Sequence, residues 1–159
     1  MATKKSSQAG KAGLAERLML ALRRSSAAGV LHGQTIARRA GLHPTDMECL
    51  DLILMSGPSA AGDIARHTGL SSGAVTGLID RLEKLGLVER AADPADRRKV
   101  LVRVREDRIG PIVAAFTPLG KRMQALLAGY GEAELKLLLD FTERSGEIVL
   151  ERVAELERE

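Results

Sequence analysis

Aromatic residues are almost missing from this chain. They make up 2% of 159 residues: Phe116, Phe141 and Tyr130, with no tryptophan. The core must then be built from Leu, Ile, Val and Ala, which suits packed helices. The same scarcity argues against readers of RNA or single strands, which stack unpaired bases on rings. Cysteine is scarcer still. Cys49 stands alone, so no intrachain disulfide can form, and a reducing compartment, the cytoplasm, is expected. No apolar run approaches the roughly 20 residues of a membrane span. The N-terminus lacks the uninterrupted apolar stretch of a secretory signal. There is no glycine-rich phosphate loop, no Gly-x-Ser-x-Gly and no conspicuous pair of carboxylates. His32, His43 and His67 show no metal-ligand spacing with one another or with Cys49. The sequence therefore reads as a non-enzyme with neither metal nor cofactor.

What is present is an apolar fraction of 45%, enough for a core, in a length suited to one domain with an oligomerisation extension. The net charge of +3 says little; its distribution says more. Residues 1–40 hold eight Lys/Arg against Glu16, residues 97–105 hold five basic residues and no acid, and residues 132–159 hold nine acids against four bases. Positive charge gathers where phosphate contact would use it.

Residues 1–13 are small, polar and glycine-containing, and read as a disordered tail. Leu14, Leu18 and Leu22 mark a helix that Gly29 ends or loosens, with a second helical piece over 33–40. Thr45-Asp46-Met47-Glu48 has the form of a capping box for a buried helix ending at Gly57-Pro58. Ser59 can cap the next helix, 60–67. Gly69 supplies a left-handed turn, and Ser71 caps the helix over 71–85. Val75, Leu78, Ile79, Leu82 and Leu85 form one face of that helix. Its other face carries Ser72, Gly73, Thr76, Gly77, Asp80, Arg81 and Lys84, small and polar at the N-terminal half, a shape that allows close approach to base edges. A strand over 87–90, a turn with Asp93, Pro94 and Asp96, and an alternating strand over 100–105 complete a hairpin whose tip is basic. Residues 107–130 read as helix interrupted at Thr117-Pro118. After Gly131 a long amphipathic helix runs over 132–157 with near-heptad spacing, and such a helix wants a partner.

A helix able to enter the major groove, followed by a basic hairpin, is the layout of a DNA reader. The run LSSGAVTGLIDRLEKLGLVER over 70–90, followed by DPADRRKV over 93–100, resembles the MarR family of bacterial winged helix-turn-helix regulators. The specific part is Asp-x-x-Asp-Arg-Arg before an alternating valine strand. The resemblance implies a mainly α fold with a small β-wing, divided into the tail 1–13, an N-terminal dimerisation segment 14–44, a DNA-binding domain 45–105 and C-terminal dimerisation helices 106–159. It implies a homodimer on a pseudo-palindromic double-stranded DNA site, expected to act as a repressor and often released by a small-molecule effector. Position by position, it makes Ser71, Ser72 and Thr76 groove and phosphate contacts, and Arg81 a phosphate contact or a support for the wing. Arg98 matches an arginine that enters the minor groove, and Asp96 the acid that holds the wing arginines. Lys84, Arg97 and Lys99 complete the basic set from the charge pattern. The chain departs from the family pattern at 104–108, where Val-Arg-Glu-Asp-Arg replaces the common Leu-Thr-x-x-Gly, and between the first helix and Thr45, where Gly29, Gly33 and Gly41 stand in place of a longer helix.

Two other readings use the same residues. A winged-helix adaptor that binds protein would carry an acidic or apolar wing, and this wing is basic. Cys49 as an oxidant sensor would need an exposed thiol of lowered pKa. It sits beside Leu50 and Ile53 in an apolar helix, where a core thiol is the expectation.

Overall fold

The computed structural model describes residues 2–156 and 158–159. Its elements, in chain order, are α1 (Ala2–Arg39), α2 (Pro44–Ser56), β1 (Ser59–Ala60), α3 (Ala61–Thr68), α4 (Ser72–Lys84), β2 (Val88–Ala92), β3 (Val100–Val104), α5 (Glu106–Leu127) and α6 (Glu132–Leu156). The chain divides into two compact units, Met1–Ala115 and Phe116–Glu159. No helix among the described residues is long and apolar enough to cross a membrane.

The first unit holds the core. Leu50 and Ile53 from α2, Ile64 from α3, and Val75, Leu78, Ile79 and Leu82 from α4 are each at most 1% exposed. Val88 and Val102 close the core from the sheet, and Ile109 and Ile112 add the first turns of α5. These residues come from the 3–4 spacing of the helices and the 2-residue spacing of β3, so every core element shows one face inward. The sheet has three antiparallel strands in the order β1-β3-β2. Val88 faces Val104 and Ala92 faces Val100, while the two-residue β1 sets Ser59 against Val102.

Several local expectations are corrected. The chain is helical from Ala2, where a tail over 1–13 is expected from composition, and Met1 lies outside the described residues. Gly29 does not break α1 either. A mid-helix glycine costs about 1 kcal/mol relative to alanine, a cost that a 38-residue helix can absorb. At the start of α2 the cap is His43, whose Nδ1 accepts from the Thr45 N–H at 3.3 Å, with Pro44 in the first turn. The Thr45 capping box does not form. Ser59 is a strand residue whose hydroxyl donates to the Gly57 carbonyl at 2.9 Å, so α3 begins without a side-chain cap. Leu85 lies just beyond α4 and is 48% exposed, outside the buried face assigned to it. Finally, α5 continues through Pro118. A proline removes one i to i−4 hydrogen bond, and here that loss does not end the helix.

The second unit contains the rest of α5 and all of α6. No described residue of α6 is buried: Leu137, Ile148, Val149 and Leu150 are each more than 60% exposed. Its first turn is ordered by Glu134, which accepts from the Gly131 N–H at 2.8 Å.

Candidate nucleic-acid interface

The helix-turn-helix is built from short-range signals. At the end of α3 the Thr68 hydroxyl donates to the Ile64 carbonyl at 2.8 Å. Gly69 then turns the chain with φ of +66°, a conformation glycine adopts without a side-chain penalty. Ser71 follows with extended backbone, and its hydroxyl accepts from the Ala74 N–H at 3.3 Å, capping α4. Burial of Val75, Leu78, Ile79 and Leu82 rotates the opposite face of α4 to solvent. Ser71, Ser72, Gly73 and Thr76 are all exposed there. The Thr76 hydroxyl donates to the Ser72 carbonyl at 2.9 Å, which turns its acceptor lone pairs outward.

The wing tip is shaped by its two aspartates. Asp93 accepts from the Ala95 N–H at 2.8 Å and its own N–H donates to the Lys99 carbonyl at 3.0 Å. Asp96 accepts from the Arg98 N–H at 3.1 Å, with the Arg98 Nε 3.5 Å away, and its carbonyl accepts from the Lys99 N–H at 2.8 Å. Each carboxylate therefore closes an Asx turn. Arg97, Arg98 and Lys99 project from this frame exposed, and the Arg98 side chain retains 93% of its accessible surface.

Two ion-pair clasps hold α4 on either side. Arg81 Nη2 and Nε donate to the two oxygens of Asp46, at 2.5 and 3.1 Å. Hydrogen bonding to that carboxylate raises the Arg81 pKa. Arg90, on β2, reaches back to α4. Its Nη2 donates to Asp80 at 2.6 Å, its Nη1 pairs with Glu83, and its backbone N–H donates to Glu83 at 3.2 Å. The wing is thus tied to α4 by Arg90, and Arg81 has no part in that tie: its partner is on α2. Asp80, placed by its spacing on the open face, belongs to the Arg90 clasp. Sequence reasoning missed Asp46 and Arg90 because their partners lie on other elements, 35 and 7–10 residues away. Lys84 pairs with no carboxylate among the described residues. It lines a cleft of about 630 Å³ together with Gly41, His43, Asp46, Arg81 and Leu85.

Cys49 is fully buried. Burial, with a smaller contribution from the Asp46 charge, pushes its thiol up to about 11. An inert core thiol is what that environment produces.

The MarR family model matches residues 40–99, the stretch from the end of α1 to the wing tip. The HTH-type transcriptional regulator YcgE of Bacillus subtilis is 39% identical over 129 residues, covering 81% of this chain and 84% of that one. The chain belongs to the MarR family. Among solved structures, a MarR family protein from Bacillus stearothermophilus superposes with a TM-score of 0.61, at 21% identity, covering 82% of this chain and 92% of that one. NadR, solved in complex with 4-hydroxyphenylacetate, also gives 0.61, at 22% identity, covering 81% and 92%. These two likenesses establish the shared winged-helix fold. With its relatives this MarR-family chain is a helix-turn-helix transcriptional regulator.

Proposed function

We propose that the protein acts in the cytoplasm as a homodimeric repressor on a pseudo-palindromic duplex site, with α4 in the major groove and the wing tip 93–99 in the adjacent minor groove. One observation carries this: the exposed small polar face of α4 is followed at once by a basic, aspartate-braced hairpin tip. Ser72 and Thr76 face the base edges, Ser71 faces a phosphate at the start of α4, and Arg98 enters the minor groove. Lys84, Arg97 and Lys99 meet phosphates, with Asp96 bracing the tip. Residues 45–105 form the DNA-binding part, and the segments 14–44 and 106–159 pair two copies. The exposed apolar residues of α1 and α6, among them Leu14, Leu18, Val149 and Leu156, supply the surface for that pairing. A small molecule releases the protein from its site; NadR, with a bound aromatic acid, supplies the precedent for such an effector in this fold.

The test is selection of duplexes from a randomised library by the purified protein, followed by fluorescence anisotropy on the selected sequence. Three phosphate contacts per protomer make about six per dimer, so log K against log salt should have a slope near −5. Half-site centres should lie about 10 base pairs apart, and an inserted half-turn of about five should abolish the preference. Indifference to that insertion would rule out the dimeric reading. Failure to bind any duplex would leave the protein-adaptor reading in its place.

A further inference from the structure

We propose that Asp46 and Arg81 act as a positioning pair for DNA recognition, setting the rotation of α4 on α2, and that Arg81 is not a phosphate ligand. The inference rests on the DNA reading above and assigns a task to a residue of the same surface.

Asp46 is the one buried charged side chain among the described residues, with 4% of its side-chain surface accessible. It lies in the first turn of α2, while Arg81 lies in the last turn of α4. Their bidentate grip uses the Nε and Nη2 edge of the guanidinium, which fixes both the distance and the angle between the two groups. The side chain lies back along its own helix: Arg81 Nη1 is 3.9 Å from where a Cβ on Gly77 would stand.

Arg81 is also half exposed, at 54% of its side-chain surface, and a cation on this face would ordinarily be counted as a phosphate contact. The buried carboxylate argues otherwise. Moving Arg81 to a phosphate would leave Asp46 charged, out of water and unpaired, a state far less favourable than the loss of one exposed phosphate contact. Lys84, one turn along, carries no such obligation. The apolar face of α4 alone permits some rocking about the helix axis, because Val75, Leu78, Ile79 and Leu82 contact the core without directionality. A two-point ion pair supplies the missing direction. Ser72 and Thr76 are carried on the same rigid helix, so a small rotation at Arg81 moves their hydroxyls relative to the base edges.

The experiment compares the full-length wild type with Asp46→Ala, Arg81→Gln, the double variant and Lys84→Gln. Asp46→Ala is the informative single change, because it leaves only an exposed arginine without a partner and creates no buried orphan charge. Two probes are used across a salt series: the duplex selected by the wild type and a random duplex of equal length. Folding of each variant is checked by circular dichroism at the assay temperature. We expect Asp46→Ala and Arg81→Gln each to weaken the selected duplex about ten-fold while leaving the random duplex and the salt slope as in the wild type. The double variant should be no worse than either single one. Lys84→Gln should lower affinity for both duplexes and reduce the slope by about 0.9 per contact, close to 2 for a dimer. The proposal is overturned if Arg81→Gln flattens the slope and weakens both duplexes while Asp46→Ala does not weaken binding, since Arg81 would then be a phosphate ligand. It is equally overturned if Asp46→Ala melts at a lower temperature but binds both duplexes as the wild type does, since the pair would then serve stability alone. A wild type that prefers no duplex would remove the DNA reading itself, and is recognised before any variant is measured.

Discussion

Cys49 offers the sharpest test of how this protein is regulated, because a thiol sensor and a core thiol predict opposite chemistry. Its side chain is fully buried, and its pKa stands at about 11 against an ordinary 9.0. At pH 8 an ordinary thiol of that pKa is ionised to about one part in ten and Cys49 to about one part in a thousand, a difference on the order of a hundred-fold before any steric protection. A chromogenic disulfide at pH 8 should therefore label the native protein at least a hundred-fold more slowly than the urea-unfolded protein. The same shift makes a stability statement. A thiol whose folded pKa is raised favours the folded state below the unfolded pKa, and that contribution is lost as pH rises from 9 through 11. Two pKa units set its size at about 2–3 kcal/mol. Urea unfolding of the wild type and of Cys49→Ala, measured at pH 8 and again near pH 10.5, isolates the effect: the wild type should lose more stability than the variant. Rapid stoichiometric labelling of the native protein would refute the argument. So would loss of DNA binding to peroxide that reductant restores in the wild type and that is absent from Cys49→Ala.

Three further outcomes are expected. Arg98→Ala should weaken the selected duplex by about 1–3 kcal/mol, with the larger loss on A·T-rich flanks whose minor groove is narrow, and should leave the melting temperature unchanged; equal affinities for mutant and parent would remove the wing tip from the interface. Ser71→Ala deletes the cap of α4 and should lower stability by about 0.5–2 kcal/mol in urea melts, a loss absent if the cap is idle. Deletion of 132–159 should give monomer or insoluble protein in sedimentation, and a truncated protein that remains a well-folded dimer would show that α6 is not needed for pairing.

The helix-turn-helix was legible because each of its parts is specified within a few residues. Gly69 must be left-handed to turn the chain, Ser71 is three residues from the N–H it caps, and Asp93 and Asp96 bond N–H groups two residues on. The alternation in β3 likewise located the wing. Errors arose where a local pattern had competitors. Thr45 and Glu48 have the form of a capping box, but Pro44 favours the first turn and makes His43 the cap. Ser59 is a good cap residue, yet pairing with Val102 holds it in a strand. Glycine at 29 and proline at 118 weaken helices without ending them, and their cost is small beside the hydrogen bonds a long helix retains. The two clasps were not legible at all. An aspartate near the start of one helix and an arginine near the end of another carry no signal of their pairing until the core has brought the helices together.

Those clasps change how the charge of the surface is to be understood. Counted from the sequence, Arg81, Lys84, Arg97, Arg98 and Lys99 are the candidates for phosphate or groove contact among the basic residues of α4 and the hairpin. The structure sorts them. Arg90 is held by Asp80 and Glu83, Arg103 is paired with Glu89 across the strands, and Arg81 is held by Asp46. Their charges are largely cancelled at short range and contribute little to a long-range field. Lys84, Arg97 and Lys99 have no carboxylate partner among the described residues, and Arg98 has only the 3.5 Å approach to Asp96. On the proposed duplex, counterion release is expected to follow the second group, and discrimination between sequences to follow the placement of α4 and the wing, which the first group holds. The paired cations should therefore govern the ratio of specific to random binding, and the unpaired ones its salt dependence. A count of basic residues, or the net charge of +3, predicts neither quantity.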